Sequence, residues 1–133
     1  MSRRKARELA FKVIFQVDQV NADPRTAYQY LLEENKLVDS ESEFSWALIE
    51  GCLQHQEEID TMISTYANDW TIDRMSSVDR NLMRVASAEI LFLEGSQAAI
   101  AIDEAIEISK KYGEVNSASF INAILDKINR NKQ

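Results

Sequence analysis

At 133 residues, with 45% hydrophobic and 28% charged residues, the chain has the length and composition of one globular domain that buries a core without staples. The lone Cys52 excludes an internal disulfide, and with the lone His55 it cannot build a tetrahedral Cys/His zinc site; no apolar run reaches bilayer length. The formal net charge of -7 excludes a body that attracts polyanions over its whole surface.

Three Gly and one Pro are few turn formers, so long helices are expected rather than hairpins. The opening stretch, SRRKARELAFKVIFQ, has helical period. At about 100° per residue, Ala6, Ala10, Val13, Ile14 and Val17 share one face. Phe11 and Phe15 fall one turn apart on the flank of that face, on the same side as Arg4 and Arg7. Asp23-Pro24 punctuates the first helix and starts a second over 24–35, with Asp23 as N-cap. The acidic stretch DSESE at 39–43 reads as a joint before one long helix from Phe44 to Tyr66. A connector, DWTIDRMSS, follows at 69–77. Ser76 or Ser77 caps a helix over 78–94 that ends at Gly95. Ser96 caps the next, through Tyr112 to Gly113, and Asn116 or Ser117 caps the last, SASFINAILDKI. The sum is an all-α bundle of six to seven helices in one domain, divided near the connector into two packed sub-bundles, roughly 1–70 and 71–133.

Four features bear on function. Arg3, Arg4, Lys5 and Arg7 oppose the dipole of the helix they begin, so helix stability does not account for them. With the neighbouring aromatics they have the chemistry that single-stranded RNA uses, phosphates on Arg and Lys and bases on planar groups. The plainer reading is a solvated terminus, with Phe11 and Phe15 in the core. Arg80 and Arg84, one turn apart beside Asp79, read either as a solvated basic edge or as a partner surface. Glu89 projects onto the apolar side of its helix, where it must be paired if buried, and reads as a structural anchor. Asp103 and Glu104 point about 100° apart on a helix and make no acid/base pair. Trp46, Tyr66 and Trp70 read as core anchors or joint fillers. No Gly-rich phosphate loop, nucleophile elbow or metal-ligand spacing occurs, so no enzyme and no cofactor is expected, and the default address is the cytoplasm.

Residue order adds more. RRKARELAFKVIFQ, VDRNLMRVASAEI, AIAIDEAIEISKKYG and SASFINAILDKI, in that order and spacing, resemble the NusB family of bacterial transcription antitermination factors. The resemblance spans most of the chain. It implies two packed helical sub-bundles and binding of boxA, a short single-stranded RNA element of ribosomal RNA operon leaders. The partner it implies is the small-subunit ribosomal protein NusE, within an RNA polymerase complex with other Nus factors. Carried over by position, Arg3, Arg4, Lys5 and Arg7 are the arginine-rich RNA-binding segment. Phe15 stands near the shared RNA and partner surface. Asn116, Phe120 and Asn122 form a second RNA patch, and Asp79, Arg80 and Arg84 face NusE. Gln97, Asp103 and Ala123 depart from the family's usual Pro, Asn and Gly; Ser96 is expected to cap the helix that Gln97 would otherwise weaken. A monomer or a weak homodimer that yields to NusE is expected.

Overall fold

The computed structural model describes residues 3–68 and 70–132. Among these there are seven α-helices and no strand: α1 (Arg3–Val20), α2 (Pro24–Asn35), α3 (Asp39–Gln54), α4 (Gln56–Tyr66), α5 (Ser77–Phe92), α6 (Ala98–Tyr112) and α7 (Ser117–Asn131). A single 3-10 turn, Ile72–Arg74, sits between α4 and α5. The all-α expectation holds.

The helix starts follow side-chain chemistry in two places. Asp23 accepts the backbone N–H of Thr26 at 3.0 Å, with Pro24 in the first turn of α2. Ser76 accepts the N–H of Asp79 at 3.0 Å and so caps α5. Elsewhere the boundaries moved. The first helix stops at Val20, ahead of Asp23, because Asn21 turns left-handed with φ 56°. The DSESE stretch is not a joint: Asp39 and Glu41 lie in the first turn of α3, where carboxylates favour the helix dipole. The long helix predicted over Phe44–Tyr66 breaks at His55, whose ψ of 22° leaves the helical region. The His55 ring stacks on Phe92 at 3.8 Å between centroids. Ser96 does not cap α6; Gln97 holds that position and makes no side-chain bond to the helix end.

Two glycines mark the ends of α5 and α6 for different reasons. Gly95 has φ +81°, a left-handed turn that a side chain would strain. Gly113 is extended, and space is its constraint: a Cβ there would lie 2.6 Å from Ser117 Oγ.

α5 is the central helix. It packs against α1, α3, α4, α6 and α7. Every residue from Asn81 to Ile90 is buried. Leu48, Ile49, Ile59, Ile63, Ile121 and Ile128 are shut off from water around it. Each such side chain contributes about 1.5–3 kcal/mol through burial. α4 turns away from α2 and packs on α5 and α7. That crossing happens at the His55 break, where a straight helix would have carried residues 56–66 past the core.

Candidate nucleic-acid interface

The basic N-terminus of α1 meets the start of α6 in an open cleft of about 610 Å³. Arg3, Arg4, Arg7, Gln97, Ile100 and Glu104 contribute to its lining. The arginines have separate fates. Arg3 is exposed, and its guanidinium lies 4.0 Å from the centre of the Phe44 ring. Arg4 donates Nε and Nη2 to the two carboxylate oxygens of Glu104 at 2.9 and 2.8 Å, with its side chain 54% exposed. Lys5 is exposed, with no carboxylate partner among the described residues. Arg7 is buried. It makes a bidentate pair with Glu89 at 2.8 and 2.7 Å, where side-chain exposures are 9% and 2%. Glu89 is thus the anchored carboxylate its position implied, and Arg7 is its anchor rather than a free cation. Arg4 holds the Glu104 carboxyl below its usual range through a side-chain hydrogen bond, against a smaller opposing effect of burial.

A second cleft of about 420 Å³ lies at the other end of α6. Trp70, Arg74, Asp79, Asn116 and Phe120 line it, so the second predicted patch and Asp79 meet in one place. Asn122 is exposed but does not line this cleft. Asp79 Oδ1 is buried, with no hydrogen-bond partner among the described residues. Trp70 is 50% exposed and sits edge-on to Phe120 at 6.4 Å. Of the two readings of Trp70, the core anchor fails; the residue lies in the joint between α4 and the 3-10 turn. Its place in a connector, among Asp and Thr rather than in a periodic apolar stripe, was the signal for a surface aromatic. Ala123 is exposed beside this pair, in a shallow groove with Phe120 and Lys127.

Between the clefts, Phe11, Lys12, Phe15, Val78 and Tyr112 line an apolar depression of about 250 Å³. Phe11 belongs to the core, and Phe15 is half-buried, 5.8 Å from it ring to ring. Tyr112 closes the far side at 5.5 Å from Phe11. Glu8 accepts hydrogen bonds from Lys111 and from the Tyr112 hydroxyl, tying α1 to the end of α6. Burial pushes the Glu8 carboxyl up, but these two donors and nearby lysines outweigh it, and the net shift is downward. The three depressions follow α6 from its first turn to the loop beyond it. Its fifteen residues span about 22 Å at the helical rise.

Arg80 and Arg84 do not form a surface. Arg84 is buried and donates Nε and Nη2 to Asp60 at 2.8 and 2.9 Å, and Nη1 to Asn81 at 3.0 Å. Arg80 donates to Asp18 at 3.0 and 2.8 Å and to the carbonyls of Ile72 and Met75. The predicted basic edge is an internal network that joins α1, α4, α5 and the 3-10 turn. The carboxylates Asp18 and Asp60 come from distant sequence, so nothing local in VDRNLMR distinguished this fate from a solvated one. Burial raises the Asp18 carboxyl, yet the hydrogen bonds of Asn81, Arg80 and Gln19 overcome it and leave it lowered. Cys52 is buried, and burial pushes its thiol up.

No helix among the described residues is long and apolar enough to cross a membrane, and no group of three or more His, Cys, Asp or Glu among them could hold a metal ion. The family model of the NusB family matches residues 4–130. The transcription antitermination protein NusB of Syntrophomonas wolfei is 65% identical over 128 residues, 96% of each chain. That of Desulforamulus reducens is 41% identical, over 99% of this chain and 92% of its own. Among solved structures, T. maritima NusB superposes with a TM-score of 0.91 at 36% identity, covering 99% of this chain and 93% of that one. A chain from a crystal structure of antitermination factors NusB and NusE in complex with double-stranded RNA superposes at 0.87 with 28% identity, covering 98% of both chains. The chain belongs to the NusB family of transcription antitermination proteins.

Proposed function

We propose that this chain binds boxA-type single-stranded RNA of ribosomal RNA operon leaders together with the small-subunit ribosomal protein NusE. In that complex it helps RNA polymerase, with other Nus factors, to resist premature termination. It works as a non-enzymatic adaptor in the cytoplasm. The observation that carries this reading is the line of three depressions along α6, cationic at one end, aromatic at the other, on a body whose net charge is -7. A related NusB chain was solved with NusE and RNA, which supports the same reading.

Arg3 and Arg4 take phosphates in the first cleft, and the exposed Lys5 next to them in sequence adds a further phosphate contact. Phe15 lies in the middle, and Asn116, Phe120 and Trp70 take bases in the second cleft, with Asn122 at its margin. Stacking on exposed rings contributes about 1–3 kcal/mol per base. Arg7 and Arg84 support the interface from inside: Arg7 sets the angle of the α1 terminus through Glu89, and Arg84 with Arg80 fixes α5. Asp79 lines the second cleft and brings a carboxylate to it, where it faces NusE or RNA. The domain reading is part of this proposal: one unit over 1–133, its two sub-bundles divided near residue 70 in sequence and joined through α5, with α4 packed across onto α5 and α7.

The test is fluorescence anisotropy with a labelled boxA-type RNA and a scrambled control, each with and without NusE, at two salt concentrations. Preference for boxA that sharpens with NusE is the expected result. Equal, weak binding to both RNAs with NusE present would instead favour a purely protein-protein helical adaptor. Sedimentation should show a monomer, or a weak dimer that dissociates when NusE is added.

A further inference from the structure

The first cleft contains its own competitor for phosphate. Glu104 presents two carboxylate oxygens to the Nε and Nη2 edge of Arg4 at 2.9 and 2.8 Å. A backbone phosphate presents the same two-oxygen face to the same planar fork. The two ligands cannot hold that edge together. The neighbouring arginines lack this feature. Arg3 rests on an aromatic ring, with no carboxylate partner among the described residues. Arg7 is locked to Glu89 in the interior, where releasing it would strand a buried carboxylate. Of the two bidentate arginine pairs at this cleft, Arg4–Glu104 is the one open to solvent, with 54% and 16% side-chain exposure. Glu104 also lies 3.8 Å from Arg7 Nη1, so it keeps a cation beside it when Arg4 swings away.

We propose that Glu104 is an internal phosphate mimic that occupies Arg4 in the free protein and limits the affinity of the chain alone for any single-stranded polyanion. This rests on the RNA-binding reading above. A strand that engages Arg4 must first displace the carboxylate, so part of its gain is cancelled. The chain by itself is then a weak binder, and contacts supplied by a partner carry the complex over the threshold. The competition acts on the phosphate contact and not on the bases, so it lowers affinity for matched and scrambled RNA alike.

The measurement is anisotropy of boxA-type and scrambled RNA against wild type, Glu104→Gln and Glu104→Ala, each also made in an Arg4→Ala background, over a salt series. Folding is checked by circular dichroism. Freeing Arg4 is expected to raise affinity for both RNAs about threefold to fivefold, the range of one exposed ion pair. It is also expected to steepen the salt dependence by up to about 0.7, the value of one phosphate contact on a single strand, because Glu104 keeps Arg4 off the strand part of the time in wild type. In the Arg4→Ala background both changes should vanish. Arg4→Ala alone should cost less affinity than Arg3→Ala, a comparison that needs no Glu104 variant to fold. Unchanged affinity and salt slope on removing Glu104 would overturn the inference while leaving RNA binding intact. So would an equal gain with Arg4 absent, which would mark a simple change of net charge. No binding of either RNA by wild type or variants would overturn both this inference and the RNA-binding reading.

Discussion

Two arginine pairs, each spaced one helical turn apart, end in opposite environments. Arg3 and Arg7 begin α1; Arg80 and Arg84 lie near the start of α5. The first pair is split between solvent and core: Arg3 is exposed and Arg7 is buried against Glu89. The second pair is drawn inward, onto Asp18 and Asp60. The difference lies in what surrounds each helix. α1 packs on α2, α3, α5 and α6, with Ala6, Leu9, Ala10 and Val13 inside, and only Arg3, Arg4 and Lys5 at its start are exposed. α5 is packed by five other helices, so a buried charge on it needs an opposite charge supplied by another helix. Identical residue types at identical spacing thus leave Arg3 open to solvent in one region and hold both arginines in ion pairs in the other.

The largest way to break this contrast is at the interior pair. Arg84→Ala should cost about 3–5 kcal/mol in urea unfolding, because it leaves Asp60 and part of Asp18 without their cation in a buried site. A loss under about 1 kcal/mol would mean that the network is no more than surface decoration. Next, Trp70→Ala and Phe120→Ala should each weaken boxA binding by about 1–3 kcal/mol in the anisotropy assay. Their stability cost should be smaller for Trp70, which is half exposed, than for Phe120. Arg3→Ala sharpens the contrast from the other side. Its melting temperature should stay close to wild type, while the salt slope of RNA binding falls by about 0.7. The smallest effect is expected from mild acid. Asp18, Glu8 and Glu104 all have carboxyls lowered in the folded chain. A lowered folded value means stability that is fully present above the unfolded carboxylate range, about pH 4, and lost as pH falls through the folded values. Urea midpoints at pH 7 and pH 5 should therefore nearly coincide and then drop below about pH 4. A drop already complete by pH 5 would show that these carboxylates do not carry the interhelical ties.

The bundle was legible because helical periodicity is local. The apolar faces of α1, α6 and α7 can be read from spacing alone, as can the caps at Asp23 and Ser76, since each needs only a few adjacent residues. The break at His55 was not legible. Residues 44–66 carry an unbroken helical pattern, and the ring of Phe92 that His55 stacks on is far away in sequence. The site was half legible. Asn116 and Phe120, expected in one patch, line one cleft, while Asp79, expected on a separate partner face, and Trp70, from a connector that looked like filler, join them there. Glu104 was visible as a helical carboxylate, and only the approach of α1 turned it toward Arg4.

What the amino-acid order determined by itself is the all-helical class, the clustering of positive charge on an acidic body and the need for Glu89 to be paired. These follow from propensity, periodicity and the cost of a lone buried charge, none of which requires knowing a neighbour. What the tertiary structure alone decided is which arginines remain free. Arg7, Arg80 and Arg84 were neutralised by carboxylates 82, 62 and 24 residues away, and Arg4 was held by one 100 residues away. Charge pairing acts over a few ångströms in space, and distance in space is set by the fold rather than by the order of residues along the chain.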